Sequence, residues 1–180
     1  LEFRSFATAP LFAEGPSVAD RPGGAMALST VYACVDRLAS TISTLPVHLY
    51  EDSGTAKMRL KGHPLERLFK VGPNDFQTWS DFCAYLMRCL LLRGNFYARI
   101  YRSPRTGDIV RLLPIAPDRV KTKLHPNRHR LEYFVDTSKD PLPEDAVWHV
   151  RGLPDDDFLV GLSAIQAAAK VIDAGLSAVT

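Results

Sequence analysis

The chain has 180 residues, of which 46% are hydrophobic and 23% charged, so it can form one domain with a hydrophobic core but not two large ones. Its formal net charge of +2 argues against a surface built throughout to bind nucleic acid. Arg88 and Arg93 interrupt the most apolar segment, so we expect no membrane span and no membrane partner. These limits favour a single α+β domain.

Residues 1–27 carry Pro10, Pro16, Pro22 and a Gly-Gly pair and show no hydrophobic periodicity. A segment of this kind has little to bury, so we expect an extended or disordered arm that precedes a domain over residues 28–180. The chain does not start with Met, and its last residues still follow a helical pattern. We therefore expect that sequence is missing at both ends.

Helical periodicity begins near Ser29 or Thr30, either of which can cap a helix that Pro46 closes. The positions that share its apolar face are Val31, Val35, Leu38, Ile42 and Leu45. Residues 47–50 and 57–60 then predict a hairpin around a turn at residues 52–54. A short helix follows His63 and Pro64, and the sequence Gly72-Pro73-Asn74 ends it.

Residues 86–101 switch from helical to strand periodicity without a break and predict a helix-to-strand corner. Thr78, followed three residues later by Asp81, predicts a capping box at the start of this helix. Gly94 stands where a helix C-cap requires positive φ, and Asn95 tolerates the same conformation. After the corner the residues alternate, which predicts a strand with one face on a core and an amphipathic opposite face.

Beyond the corner, residues 103–108 predict a hairpin loop and residues 109–113 the returning strand. Further strands are predicted at residues 120–124, 131–135 and 146–151. Ser163 then predicts the cap of an alanine-rich helix that runs to the end of the chain. The expected fold is thus α+β, with several helices packed on antiparallel hairpins.

The sequence lacks the motifs of nucleotide-binding loops, nucleophile elbows and zinc proteases, so we expect no enzyme and no cofactor. Histidines 125 and 129 have a zinc-like spacing, but Pro126 prevents a helix between them, and a surface loop is favoured. His149 is expected to be a hydrogen-bonded structural imidazole. The run Asp155, Asp156 and Asp157 lacks the spacing of a calcium loop, so a solvated loop is favoured over a metal site. The three cysteines, at positions 34, 83 and 89, are expected to be core thiols.

Charge is distributed unevenly along the chain. Residues 93–130 contain ten basic and two acidic side chains, a net charge of +8, whereas residues 131–157 have a net charge of −6. One interpretation is a protomer whose basic and acidic sides meet head to tail in a ring, and the other is that hairpin tips are charged for solubility. The candidate interface residues are Arg99, Arg111, Lys121, Lys123, Asp155, Asp156 and Asp157.

Several short motifs, taken in order, resemble the portal proteins of tailed bacteriophages of the HK97 type. The stretches that carry the resemblance are Val31-Tyr32-Ala33-Cys34-Val35, Ile42-Ser43-Thr44-Leu45-Pro46, His63-Pro64-Leu65, Pro73-Asn74, residues 90–98 with Gly94-Asn95, Leu113-Pro114-Ile115 with Pro117, Trp148-His149-Val150-Arg151 and Gly161-Leu162-Ser163. Ala164 departs from the family pattern, which usually has proline there; the change removes a preset helix start but leaves the Ser163 cap.

The resemblance implies a wing-like portion of a structural subunit in a ring, usually of twelve copies, at one capsid vertex. Double-stranded DNA would pass through the ring without sequence recognition. The major capsid protein would be a partner here, and the terminase and the head-tail adaptor would bind through the stem, clip and crown that this chain lacks. The last helix would lead toward that stem. The resemblance places the protein in the virion after assembly in the host bacterial cytoplasm.

The alternative is a nucleic-acid-binding module that uses the basic hairpins from Arg99 to Arg130. Such a module needs aromatic side chains between its basic residues, and Tyr97 and Tyr101 on either side of Arg99 supply a faint version of this pattern. A small hydrolase is the weaker alternative, because no nucleophile motif supports it.

Overall fold

The computed structural model describes residues 29–52, 54, 57–126, 130–154 and 158–168. The expected arm at residues 1–27, the aspartates at 155–157 and the last helix beyond residue 168 therefore lie outside the described part. No helix among the described residues is long and apolar enough to cross a membrane.

Helix α1 (Ser29–Ser43) lies on helix α3 (Trp79–Arg93). The hydroxyl of Ser80 donates to the carbonyl of Ser43 at 3.0 Å, so the end of α1 meets the beginning of α3 and the helices run antiparallel. Only Val35 and Ala39 of α1 are buried. Val31 is half-buried, and the other large apolar side chains of this helix are exposed. They are Tyr32, Leu38 and Ile42, followed by Leu45 just after the helix.

The cysteines correct one expectation. Cys34 is exposed on α1, so it is not a core thiol. Cys89 is buried in α3, and burial raises the pKa of its thiol to about 11, which makes the thiolate scarce at neutral pH. Cys83 is half-buried. The expectation failed at Cys34 because α3, the main partner of α1 among the described elements, covers only a narrow stripe of that helix.

Strands β1 (Tyr50–Asp52) and β2 (Lys57–Arg59) form the predicted hairpin, with Tyr50 opposite Arg59. All six residues are exposed. The first strand begins three residues later than predicted, and the Leu60 N–H donates to the Leu49 carbonyl at 2.9 Å just before it. Helix α2 (Glu66–Lys70) follows and contributes Leu68 to the core.

The capping box predicted at the start of α3 is confirmed. The hydroxyl oxygen of Thr78 accepts from the Asp81 N–H at 3.1 Å, and the Asp81 carboxylate accepts from the Thr78 N–H at 3.1 Å. These bonds satisfy two N–H groups that have no partner within the helix. The Thr78 hydroxyl also donates to the Asp81 carboxylate at 2.7 Å, and this bond, followed by the one from the Thr78 N–H, lowers the pKa of the Asp81 carboxyl.

The central sheet has the order β4-β3-β8, with β3 (Asn95–Arg102) between β4 (Ile109–Ile115) and β8 (Val147–Arg151). Both pairings are antiparallel. One face packs under α2 and α3, where aromatic rings fill the core. The rings in contact are Phe69, Trp79, Phe82, Tyr85, Phe96 and Trp148.

A second sheet lies on the other face of the central one. It has the order β5-β6-β7, formed by β5 (Val120–Leu124), β6 (Leu131–Val135) and β7 (Leu142–Pro143). Its Tyr133 packs with Tyr97, Ile115 and Val147 of the first sheet. The first four residues of β3 are therefore buried on both faces, which corrects the expectation of one buried face.

The chain ends, within the described part, in a short hairpin and a helical turn that starts the last predicted helix. Strands β9 (Leu153–Pro154) and β10 (Gly161–Leu162) pair antiparallel and were not predicted. Helix α4 (Ala164–Ala167) then packs on α3, and its Ile165 is buried. The layers are thus α1, α3, the central sheet and the second sheet, and the α+β prediction is confirmed.

Candidate functional site

The corner between α3 and β3 is held by a left-handed glycine and by close backbone contacts. Gly94 ends α3 with φ of 70°, and its N–H donates to the carbonyl of Leu90 at 2.9 Å. A Cβ at this position would lie 2.1 Å from the carbonyl oxygen of Gly161. The predicted need for glycine is confirmed both by the left-handed backbone and by this close approach.

Three glycines meet at this corner. The Gly152 N–H donates to the carbonyl of Gly94 at 2.7 Å. A Cβ on Gly161 would lie 2.3 Å from the same Gly94 oxygen and 2.6 Å from the Gly152 nitrogen. Sequence reasoning selected Gly94 and Gly161 but missed Gly152, for which its place directly after a predicted strand was the available signal.

The Asn95 side chain joins the corner to β10. Its Oδ1 accepts from the Gly161 N–H at 2.8 Å, and its Nδ2 donates to the Gly161 carbonyl at 2.9 Å and to the Arg93 carbonyl at 3.1 Å. The amide therefore pairs with Gly161 as a strand backbone would. Because Asn95 is buried, losing this side chain would leave the polar groups of Gly161 without partners.

His149 completes the network as a structural imidazole. Its Nε2 lies 3.1 Å from Asn95 Oδ1, and its Nδ1 lies 3.3 Å from the Tyr133 hydroxyl. An amide oxygen only accepts, so Nε2 carries the proton, Nδ1 accepts, and the Tyr133 hydroxyl donates. Burial, followed by the nearby Arg151 charge, lowers the pKa of His149 from its ordinary 6.5 to about 4. The ring is therefore neutral at physiological pH.

The same imidazole connects the two sheets. It stacks on Tyr97 with ring centroids 4.3 Å apart and meets Tyr133 edge-on at 5.5 Å. The Tyr97 hydroxyl in turn lies 3.1 Å from the Thr122 hydroxyl of β5. Burial raises the pKa of both tyrosines, that of Tyr133 to about 12. The network thus fixes the second sheet, the central sheet and the start of α4 relative to one another.

Ser163 sets the direction in which α4 leaves the corner. Its hydroxyl oxygen accepts from the Gln166 N–H at 2.9 Å, and the Gln166 side chain accepts from the Ser163 N–H at 3.0 Å. The predicted cap is thus present as a full capping box, and Ala164 occupies the first helical position without disturbing it.

Pro73 and Asn74 protect the outer edge of β4. The Leu112 N–H donates to the Pro73 carbonyl at 2.8 Å, and the Asn74 Nδ2 donates to the Leu112 carbonyl at 3.1 Å. Pro73 is fully buried. The pair satisfies edge groups that would otherwise be open to another strand. Pro46 follows the end of α1 and is exposed.

The four basic interface candidates lie on two different sheets. Arg99 and Arg111 lie on the central sheet, where Arg99 stands 5.2 Å from the Tyr101 ring centroid and Arg111 forms a 2.7 Å ion pair with Asp75. Lys121 and Lys123 belong to β5, opposite Phe134 and Glu132 on β6. The aspartates at 155–157, which would complete the interface, lie outside the described residues.

Other basic residues between 93 and 130 are engaged within the chain. Arg93 pairs with Asp118 at 2.9 Å, and Arg119 binds the Asp136 carboxylate through two nitrogens at 2.7 and 2.6 Å. That double contact lowers the pKa of the Asp136 carboxyl. Internal pairing leaves less positive charge for a polyanion than the sequence count indicates.

The described residues contain no cluster of three side chains able to hold a metal ion. His125 lies 3.9 Å from Glu132, and His129 lies outside the described part.

Sequence reasoning missed a set of exposed apolar side chains at two places. Val71, Phe76 and Val110 line an open groove of about 620 Å³ between the α2–α3 connection and β4. Leu153 and Phe158 belong to the segment that holds β9 and β10. Their exposed fractions are 73% for Val71, 71% for Phe76, 48% for Val110, 72% for Leu153 and 68% for Phe158. Val110 lies within the predicted strand at residues 109–113, and the other four stand outside any periodic pattern, so no sequence signal marked this set as exposed.

The profile of the family described as "Phage portal protein" matches residues 29–180, which include every described helix and strand. The chain belongs to the phage portal protein family. The portal motifs identified in the sequence therefore have structural counterparts at the corner, at the edge of β4 and at the start of α4.

Two curated relatives and one solved structure show the extent of the similarity. The chain is 40% identical over 93 residues to "Protein BeeE" of Escherichia coli strain K12, covering 52% of this chain and 58% of that protein. It is 29% identical over 145 residues to "Portal protein" of Enterobacteria phage HK97, covering 79% of this chain and 34% of that protein. A chain in the structure "Neck of empty GTA particle computed with C6 symmetry" shares the fold, with a TM-score of 0.75 and 22% identity over 92% of this chain and 45% of that one. The chain thus spans only part of each relative's length.

Proposed function

We propose that this chain is part of a structural portal subunit that forms a ring at one vertex of a phage capsid. Double-stranded DNA passes through the ring during packaging and ejection and is not read by sequence. The family match over residues 29–180 carries this proposal. The fold shared with a chain from a particle neck of six-fold computed symmetry supports a ring.

The same proposal includes the partners. Twelve copies form the ring, which contacts the major capsid protein, while terminase and the head-tail adaptor bind other parts of the full-length subunit. Assembly takes place in the host bacterial cytoplasm, and the mature ring resides in the virion. We propose a structural role without a catalytic step, a proposal supported by the hydrogen bonds through which the polar groups around Asn95 and His149 hold the fold.

The proposed function is tested with the full-length gene product that contains this chain. Negative-stain electron microscopy of the purified protein is expected to show rings with a central channel, and sedimentation is expected to show one large closed species. A protein that stays monomeric at high concentration would contradict the ring.

A second test measures the affinity of the protein for duplex DNA over a series of salt concentrations. A subunit that only surrounds DNA is expected to bind duplex weakly and without sequence preference. Tight binding with a steep loss of affinity as salt increases would instead favour the nucleic-acid-binding module, for which the comparisons give no support.

A further inference from the structure

We propose that His149 is an acid-sensitive link between the two sheets, and that its protonation loosens the second sheet while the helices and the central sheet stay folded. The link is a property of the folded domain and does not depend on ring formation. Its basis is the different chemistry of the two cores that lie on opposite faces of the central sheet.

The core on the helix side keeps its charge and its hydrogen bonds in acid. Its buried members are Leu68, Phe82, Cys89, Phe96, Ala98 and Leu112. Burial raises the pKa of Cys89 to about 11 and that of the adjoining Tyr85 to about 12, so both side chains stay protonated as the pH falls. Acid therefore has no group to titrate among the described residues of this core.

The core between the sheets includes an imidazole. Side chains alternate along β8, so Trp148 packs on the helix side and His149 faces the second sheet. The imidazole stacks on Tyr97 of β3 and meets Tyr133 of β6, and these tyrosines are two of the four buried residues of this core. Burial raises the pKa of both tyrosines. Among the described residues of this core, His149 is therefore the one that gains a proton in acid.

The surroundings of the imidazole oppose a positive charge. Among the described residues, Arg151 on the same strand is the charge that acts on the ring, and it adds to the effect of burial in lowering the pKa of His149. The groups that face the ring from neighbouring elements are Asn95 and Tyr97 of β3, Tyr133 of β6 and, at longer range, Glu144 ahead of β8. The two direct hydrogen-bond partners of the ring are an amide and a phenol, so an added proton has no carboxylate beside it.

Protonation affects the two hydrogen bonds of the ring differently. The Nε2–H continues to donate to Asn95 Oδ1, 3.1 Å away, so the bond toward the corner is kept. Nδ1, which accepts from the Tyr133 hydroxyl at 3.3 Å, gains a hydrogen and becomes a donor. The hydroxyl must then accept, and its own hydrogen loses its partner within a side chain that is only 2% exposed. The cost of the added proton therefore falls on the contact between the sheets.

Loosening of the second sheet is thus coupled to proton uptake. It exposes the imidazole to water and returns the pKa of His149 from about 4 toward its ordinary 6.5. A proton binds the loosened form more tightly, so the equilibrium constant for loosening increases as the pH falls from 6.5 toward 4. After allowance for the partial exposure of the ring, we expect an increase of about tenfold between pH 7 and pH 4.5.

The ion pair that joins the ends of β5 and β6 does not titrate over the same range. Arg119 holds the pKa of the Asp136 carboxyl below its ordinary 3.8, so this carboxylate stays ionised at pH 4.5. Acid loosening in this range is therefore expected from the imidazole and not from Asp136.

The experiment is amide hydrogen exchange of the complete 180-residue chain at pH 7 and pH 4.5. Rates are expressed as protection factors, which removes the pH dependence of intrinsic exchange. Protection in β5 and β6 is expected to decrease about tenfold, whereas protection in α3 changes by less than about twofold. Trp79 and Trp148, the two tryptophans of the chain, both pack in the helix-side core, so their fluorescence is expected to be the same at both pH values.

Two matched variants identify the group that titrates. In His149→Gln the side-chain amide can still donate to Asn95 and accept from Tyr133 but gains no proton, so the decrease in β5 and β6 is expected to disappear. His48→Gln makes the same substitution at an exposed histidine and is expected to keep the decrease seen in the wild type.

Equal decreases in α3, β5 and β6 of the wild type would overturn the proposal, because they indicate unfolding of the whole domain. Unchanged protection of β5 and β6 would overturn it as well, and neither result needs a variant. A decrease that persists in His149→Gln would assign the loosening to another group and would also overturn it.

Discussion

Two regions of the molecule differ in which side chains they bury. The corner between α3 and β3 buries polar residues, whereas α1 and the β1–β2 hairpin expose apolar ones. At the corner, Asn95 and Ser163 are buried polar residues whose hydrogen bonds are made within the chain. In the other region, apolar side chains such as Leu38 and Tyr50 expose 49% and 58% of their surface. The comparison teaches that the stability of this domain is concentrated at the corner and in the core beside it.

The largest difference is expected from substitution of glycine. Gly94→Val places a branched side chain at φ of 70° and against the Gly161 carbonyl, so we expect a loss of about 5 kcal/mol or more, comparable to the stability of a whole small domain. Gly107→Val is the matched control, because Gly107 has φ of 76° and nothing within 4 Å of its Cβ position. Urea unfolding gives the loss of unfolding free energy for each variant, and the difference between the two losses measures the steric effect at Gly94. Equal losses would contradict the close approach of the Gly161 carbonyl.

Truncation in the core is expected to come next. Phe82 has no exposed surface and touches the rings of Trp79, Phe96 and Trp148, so Phe82→Ala should cost about 4 kcal/mol through lost contacts and a cavity. Leu38→Ala on the exposed side of α1 should cost about 0.5 kcal/mol or less. Thermal unfolding of the two variants checks the ratio, and similar losses would mean that α1 is covered in solution.

Acid is expected to weaken the corner by a smaller amount. The folded pKa of His149, about 4, lies below its ordinary 6.5, so unfolding takes up a proton at intermediate pH. The contribution is complete above pH 6.5 and decreases as the pH falls toward 4. Allowing for the partial solvent exposure of the ring, we expect a loss of about 1–2 kcal/mol.

His149→Gln supplies the matched variant for this pH effect, because its amide N–H can replace the Nε2 donor and does not titrate. The measurement is the unfolding free energy of each protein from pH 7 to pH 4. The stability of the wild type is expected to fall relative to the variant, and parallel curves would show that His149 titrates normally in the folded state.

The smallest effect is expected on the charged surface of the second sheet. Reversal of Lys121 and Lys123 to Glu should change the unfolding free energy by less than about 1 kcal/mol, because exposed charges are screened. Any change in self-association should be confined to low ionic strength. Sedimentation of the double variant in a salt series tests this, and an effect that persists at high salt would place these lysines in a buried contact.

Much of the chain could be predicted because its signals are local. The Thr78 cap, the Gly94 C-cap and the Ser163 cap follow from orphan backbone groups at helix ends, which depend only on nearby residues. The β3–β4 hairpin follows from alternation around a turn. These signals, with the portal motifs, predicted the family and the order of the main helices and strands, but not the two-residue strands β7, β9 and β10.

Tertiary structure alone decided which faces are covered and which distant groups meet. Tyr97 is buried because the second sheet covers β3, whereas Leu38 is exposed because α3, the main partner of α1 among the described elements, leaves that side of the helix uncovered. The hydrogen bond from Gly161 to Asn95 joins residues 66 positions apart, and the groove at Phe76 needs β4 as its wall. Contacts of this kind arise from the packing of separate elements, so no short window of the sequence contains them.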